Sequence, residues 1–224
     1  RAAVFGICLL SSFIPPQVNA QGITWRQLSV GGSTQGVTAG FEIKLRDSSR
    51  FSYKGYVSYI GYKQPQSLNF DEGSVLNIYP DIRKVQLGAK AYFYPLRKRQ
   101  WLALSGGLGV DLAQQYGLFI STETGFNSDG LIINAEDFGI IETGISWQRL
   151  MPFLGIRFGS SPANHRFTVS GEIGAFYMGS PKLNIDYEGF LETTTLDQEI
   201  VKIQRNMRGY SYFPLLELSL GYRL

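Results

Sequence analysis

The chain has 224 residues, 44% of them hydrophobic and 14% aromatic, with 21 Lys and Arg against 18 Asp and Glu, one His and one Cys. A balance this even carries no mark of a nucleic-acid partner, and one thiol can form neither an internal disulfide nor a cysteine metal centre. Its 26 Gly beside 15 Phe, 13 Tyr and 3 Trp favour strands and tight turns over helices.

Taken in chain order, the first segment is RAAVFGICLLSSFIPPQVNAQG. A basic first residue, an apolar run from Ala2 to Ile14, a Pro15-Pro16 break and small residues at Val18 and Ala20 make the layout of a secretory signal peptide over residues 1–20. The apolar run is too short for a helix across about 30 Å of hydrocarbon at about 1.5 Å per residue. Cleavage after Ala20 removes Cys8 and Arg1, leaving 20 basic against 18 acidic side chains in one domain over residues 21–224. No later stretch approaches the apolar length of a membrane helix.

Eight segments of period-two alternation follow. The first is weak, over about Ile23 to Gly31. The others are GVTAGFEIKLR, FSYKGYVSYIGY, RKVQLGAKAYFYP, WLALSGGLGVDLAQQYG, WQRLMPFLGIRFG, HRFTVSGEIGAFYMG and the terminal SYFPLLELSLGYRL. The connections after the second, fourth and sixth are short (DSSR, LRKRQ, SSPAN), and those after the third, fifth and seventh are long. Even strand number, short periplasmic turns and long outer loops describe a bacterial outer-membrane barrel. The expected fold is all-β: an eight-stranded antiparallel up-and-down transmembrane barrel with both termini in the periplasm.

The two faces of these segments differ. One carries Val37, Phe41, Leu87, Leu104, Leu108, Val169 and Ile173 and no charge. The other carries Glu42, Lys44, Arg46, Lys54, Lys84, Lys90, Asp111, Arg157, Glu172, Glu217 and Arg223 among Gly, Ser and Thr. A soluble barrel would turn its charges to water. Opposed charges interleaved with small residues instead suit a narrow lumen filled by side chains, and all eleven are expected to share one interior. The chain then ends on a strand because the last strand closes the barrel against the first.

The last long connection holds a helix signal: Thr195 and Gln198 as a capping pair, Leu196, Ile200, Ile203 and Met207 as a stripe, and Gly209 at the C-cap. The helix is expected outside the membrane, with its stripe packed on neighbouring loops.

The stretch from Met151 to Leu224 resembles the ornithine-uptake porin family, the CarO-type barrels of Gram-negative outer membranes. The resemblance rests on MPFLGIRFG, RFTVSGEIGAFYMGSPKL, a helical excursion and YSYFPLLELSLGYRL, with Gly155, Gly174, Gly179, Pro181, Lys182 and Pro214 on the family's motif. It implies an eight-stranded barrel with a prominent outer domain and a role in passage of small basic amino acids. Arg157, His165 and Arg166 depart from the pattern.

Enzyme chemistry finds no support. The single histidine, His165, falls in a predicted periplasmic turn with no nucleophile to pair with it, metal ligands are wanting, and SGGLGV does not open a helix as a phosphate loop does. No cofactor is expected. The lumen admits two readings, a passage for small, basic amino-acid-like solutes and a salt-bridged plug, and the alternative to a channel is a structural or adhesive barrel whose loops contact a partner. Expected partners are outer-membrane lipid and the barrel-assembly machinery, with no nucleic acid, and the chain is expected to be a monomer.

Overall fold

A computed structural model describes residues 23–45, 50–69, 75–96, 100–122, 126–128, 131–133, 140–160, 165–188, 202–203 and 205–224. The signal-peptide segment 1–20 lies outside them. In chain order the strands are β1 (Ile23–Ser33), β2 (Gly36–Leu45), β3 (Phe51–Tyr62), β4 (Gln66–Asn69), β5 (Val75–Phe93), β6 (Leu102–Thr122), β7 (Phe126–Ser128), β8 (Leu131–Ile133), β9 (Ile140–Ser146), β10 (Leu150–Gly159), β11 (Phe167–Tyr177), β12 (Lys182–Glu188) and β13 (Tyr212–Arg223).

Eight of these close a ring in the order β1-β2-β3-β5-β6-β10-β11-β13, every neighbouring pair antiparallel. The seam joins the two ends of the chain, with Gln27 opposite Arg223 and Ser33 opposite Glu217. Closure leaves no unpaired edge in the wall. The first connection is a two-residue hairpin turn at Thr34 and Gln35, and the residue after it, Gly36, has φ +89°, which favours glycine.

The period-two pattern sets the two faces of the ring. Side chains of Leu28, Val30, Val57, Leu104, Leu108, Leu154, Ile173, Leu218 and Leu220 point out and are exposed. Rings crowd both ends of this apolar wall: Phe167 meets Tyr222 at 5.1 Å at the short-turn end, and Tyr177 meets Tyr212 at 5.4 Å at the other. Phe167 and Tyr177 are ten residues apart on β11, about 33 Å along a strand and about 25 Å along the axis of a barrel tilted by roughly 40°. That height matches the apolar band of an outer-membrane barrel, which is flanked by aromatic girdles.

β5 and β6 are longer than the alternation indicated and rise past the ring. Their outer parts pair with β4 and β9, and β9 with β12, so a sheet in the order β4-β5-β6-β9-β12 stands over one side of the mouth. The exit from the ring is marked by a bulge in which Val85 pairs with Ala113 and Gln86 with Asp111, leaving Leu112 as the extra residue. Such a bulge bends and twists the strand. β7 and β8 form a separate hairpin.

Of the expected helix, Thr195, Leu196, Gln198 and Ile200 lie outside the described residues. Lys202, Ile203, Arg205 and Asn206 are helical and run into a 3-10 turn at Met207–Gly209. Ile203 is 43% exposed. No helix among the described residues is long and apolar enough to cross a membrane.

Candidate functional site: the lumen

Nine of the expected lumen charges are buried in the ring: Glu42, Lys44, Lys54, Lys84, Lys90, Asp111, Arg157, Glu172 and Glu217. Of the other two expected lumen charges, Arg223 is only half-buried, because it is the last residue of β13, at the short-turn mouth, and Arg46 lies outside the described residues.

The register brings like charges together. Lys54 on β3 sits directly opposite Lys90 on β5, and Glu172 on β11 directly opposite Glu217 on β13. Like charges side by side repel, so neither pair is stable on its own wall. They relieve each other across the lumen: Lys54 Nζ donates to Glu217 Oε1 at 2.8 Å, Lys90 Nζ donates to Glu172 Oε2 at 2.7 Å, and Lys90 also reaches Glu217 at 3.5 Å. A second tie joins opposite walls nearer the short-turn end, where Arg157 Nη1 on β10 donates to Glu42 Oε2 on β2 at 2.6 Å and Ser52 Oγ donates to the other oxygen at 2.6 Å. In the ring order Arg157 and Glu42, and Lys90 and Glu217, lie on strands four apart in either direction and so span the full width of the barrel, while Lys54–Glu217 and Lys90–Glu172 join strands three apart.

Aromatic rings complete the cation environments. Arg157 lies over Tyr92 at 4.7 Å, Lys44 over Tyr94 at 5.4 Å, and Lys90 over Phe153 at 4.4 Å and Tyr56 at 5.0 Å. Each contact is stronger for being desolvated.

Toward the mouth opposite the short turns the charges give way to an apolar layer that the alternation alone did not reveal. Met151, Phe153, Phe176, Met178 and Leu215 are buried together with Tyr56, and Phe153 meets Phe176 at 4.6 Å. Two motif glycines make the room. A Cβ at Gly155 would stand 2.7 Å from the Phe153 ring, and one at Gly174 would stand 2.6 Å from the same ring and 2.5 Å from the Leu154 carbonyl oxygen. Signal for the layer was present: residues 151 and 153 share the parity of Arg157, residue 176 that of Glu172, and residue 215 that of Glu217.

Beyond the layer lies the pair Lys84–Asp111, at 3.6 Å and without a hydrogen bond between them; Gln114 donates to the other Asp111 oxygen at 3.1 Å. Among the described residues no three of His, Cys, Asp and Glu gather as metal ligands. His165 is exposed just before β11, away from the lumen charges.

The overall fold of the closed ring is shared with solved barrels. Superposition on Acinetobacter baumannii CarO2 gives a TM-score of 0.59 at 18% identity, over 91% of this chain and 98% of that one. The chain has the CarO-type barrel fold. A. baumannii CarO gives 0.58 at 15% identity, over 89% of this chain and 97% of that one. No family model and no curated protein matches the sequence. Within the CarO-type fold, the glycines singled out by the motif, Gly155 and Gly174, are the ones that seat Phe153 in the lumen.

Proposed function

We propose that this chain is a monomeric outer-membrane barrel, with its short turns and both termini in the periplasm, whose lumen is closed to free ion flow at rest. The observation that carries the reading is the set of ion pairs that tie opposite walls, Arg157–Glu42 and Lys54 and Lys90 with Glu172 and Glu217, beneath the buried layer of Phe153, Phe176, Met151 and Leu215. Buried partners of this kind hold each other because separation leaves a desolvated charge. The barrel then serves as a membrane anchor for its outer sheet.

A second reading is favoured by one feature, the two lysines facing two glutamates, which offer both signs to a small basic amino-acid-like solute. Passage requires those pairs to part. Planar bilayers and loaded vesicles separate the two readings: the wild type is expected to show no steady conductance steps and no saturable uptake of a labelled basic amino acid. Steady steps would overturn the closed lumen, and saturable uptake without steps would establish gated passage instead.

The orientation has its own test. Protease added to intact cells is expected to cut within residues 117–142 or 180–209 and to spare the three short turns. Cleavage confined to the short turns reverses the sides.

A further inference from the structure

We infer that the short-turn rim of the barrel is a binding surface for anionic phospholipid headgroups. The inference rests on the membrane-barrel reading and adds a partner to it. Arg26 lies on the lipid-facing side of β1, in phase with Leu28 and Val30, and the exposed Arg50 and Arg166 immediately precede Phe51 and Phe167. Main-chain hydrogen bonds hold these arginines at the short-turn ends of the ring strands: Leu224 N donates to Arg26 O at 2.9 Å, Arg223 N to Arg166 O at 2.8 Å, and Tyr94 N to Arg50 O at 2.8 Å.

Directly above them is the aromatic girdle of Phe51, Phe167 and Tyr222, all exposed on the apolar wall. Aromatic rings of this kind sit at headgroup level. The arginine side chains therefore start at the depth of the lipid phosphates. Among the described residues of this rim there is no Asp or Glu side chain. A basic collar beside an anionic leaflet gains electrostatic attraction that decays within a Debye length. Continuity with the lipid-facing wall selects headgroups over a soluble anion, since Arg26 points to lipid rather than into the mouth.

The test reconstitutes the full chain, with Trp101→Phe, Trp147→Phe and Phe167→Trp so that the 76%-exposed position 167 carries the lipid-facing tryptophan, in phosphatidylcholine vesicles containing brominated phosphatidylglycerol or brominated phosphatidylcholine. Quenching is expected to show a preference of at least about fivefold for phosphatidylglycerol at low salt, the effect of one surface arginine. The preference is expected to collapse in 0.5–1 M NaCl, where the Debye length is only about 3–4 Å. The Arg26→Gln/Arg50→Gln/Arg166→Gln variant should show parity while keeping the mobility shift of a folded barrel on unboiled gels. Parity in the wild type, a preference retained by the folded variant, or a preference abolished by inorganic phosphate at matched ionic strength overturns the inference. If the variant does not fold, the wild-type salt and phosphate series decides alone. Failure to insert into either vesicle refutes the membrane reading instead.

Discussion

Glu217→Ala is expected to destabilise the barrel by about 3–5 kcal/mol, the cost of stranding a buried charge. Glu217 is the shared acceptor for Lys54 at 2.8 Å and Lys90 at 3.5 Å, and those two lysines are cross-strand neighbours. Its loss leaves two adjacent cations with Glu172 as their remaining partner. Outward Leu218, next on the strand and 69% exposed, gives the contrast: Leu218→Ala removes no buried contact of comparable worth. The double replacement Lys54→Met/Glu217→Leu should recover most of the loss, because apolar residues of similar volume commonly replace a buried pair at little cost. Urea unfolding in lipid vesicles measures all three. A Glu217→Ala midpoint equal to that of Leu218→Ala would sink the account of the lumen as a network of mutually dependent charges.

Phe153→Ala is expected to cost a similar amount, about 3–5 kcal/mol, by a different route. The ring is 2% exposed, meets Phe176 at 4.6 Å, carries Lys90 4.4 Å above its face and rests over Gly155 and Gly174. Two glycines cannot fill the void, so the layer is opened rather than repacked. Steady conductance steps for small ions should therefore appear in planar bilayers where the wild type shows none. A variant that is destabilised but still silent would place the seal elsewhere, at the cross-lumen pairs.

Most of the ring was legible because a barrel strand with one apolar and one polar face writes a period of two into the chain. β3 runs Phe51–Tyr62, the same residues as the alternating segment, and β13 lies within one residue of the segment at each end. The outer half of β5 was missed because Pro80 and Asp81 interrupt the pattern, and β4, β9 and β12 because strands of four to seven residues inside long connections carry few periods to count. The charged half of the lumen was visible since charge on one face has few explanations. Phe153, Phe176 and Leu215 were not, although their parity placed them inside. Polarity does not tell inside from outside at this level, because one layer of the interior, between the charged middle and Lys84–Asp111, is as apolar as the wall. Which charge pairs with which could not be read either, because cross-lumen partners such as Arg157 and Glu42 are four strands apart and depend on the stagger of the closed ring.

The bulge at Leu112 also divides the molecule mechanically. β5 and β6 pass without a break from the outer sheet into the wall that carries Lys84, Lys90 and Asp111, so the paired strands act as one stiff lever whose single irregular joint is the bulge. The joint lies beside Lys84 and Asp111, an ion pair held at 3.6 Å with no hydrogen bond between its partners. A displacement of the outer sheet is therefore expected to reach the lumen first at this joint, above the hydrogen-bonded pairs at 2.6 to 2.8 Å.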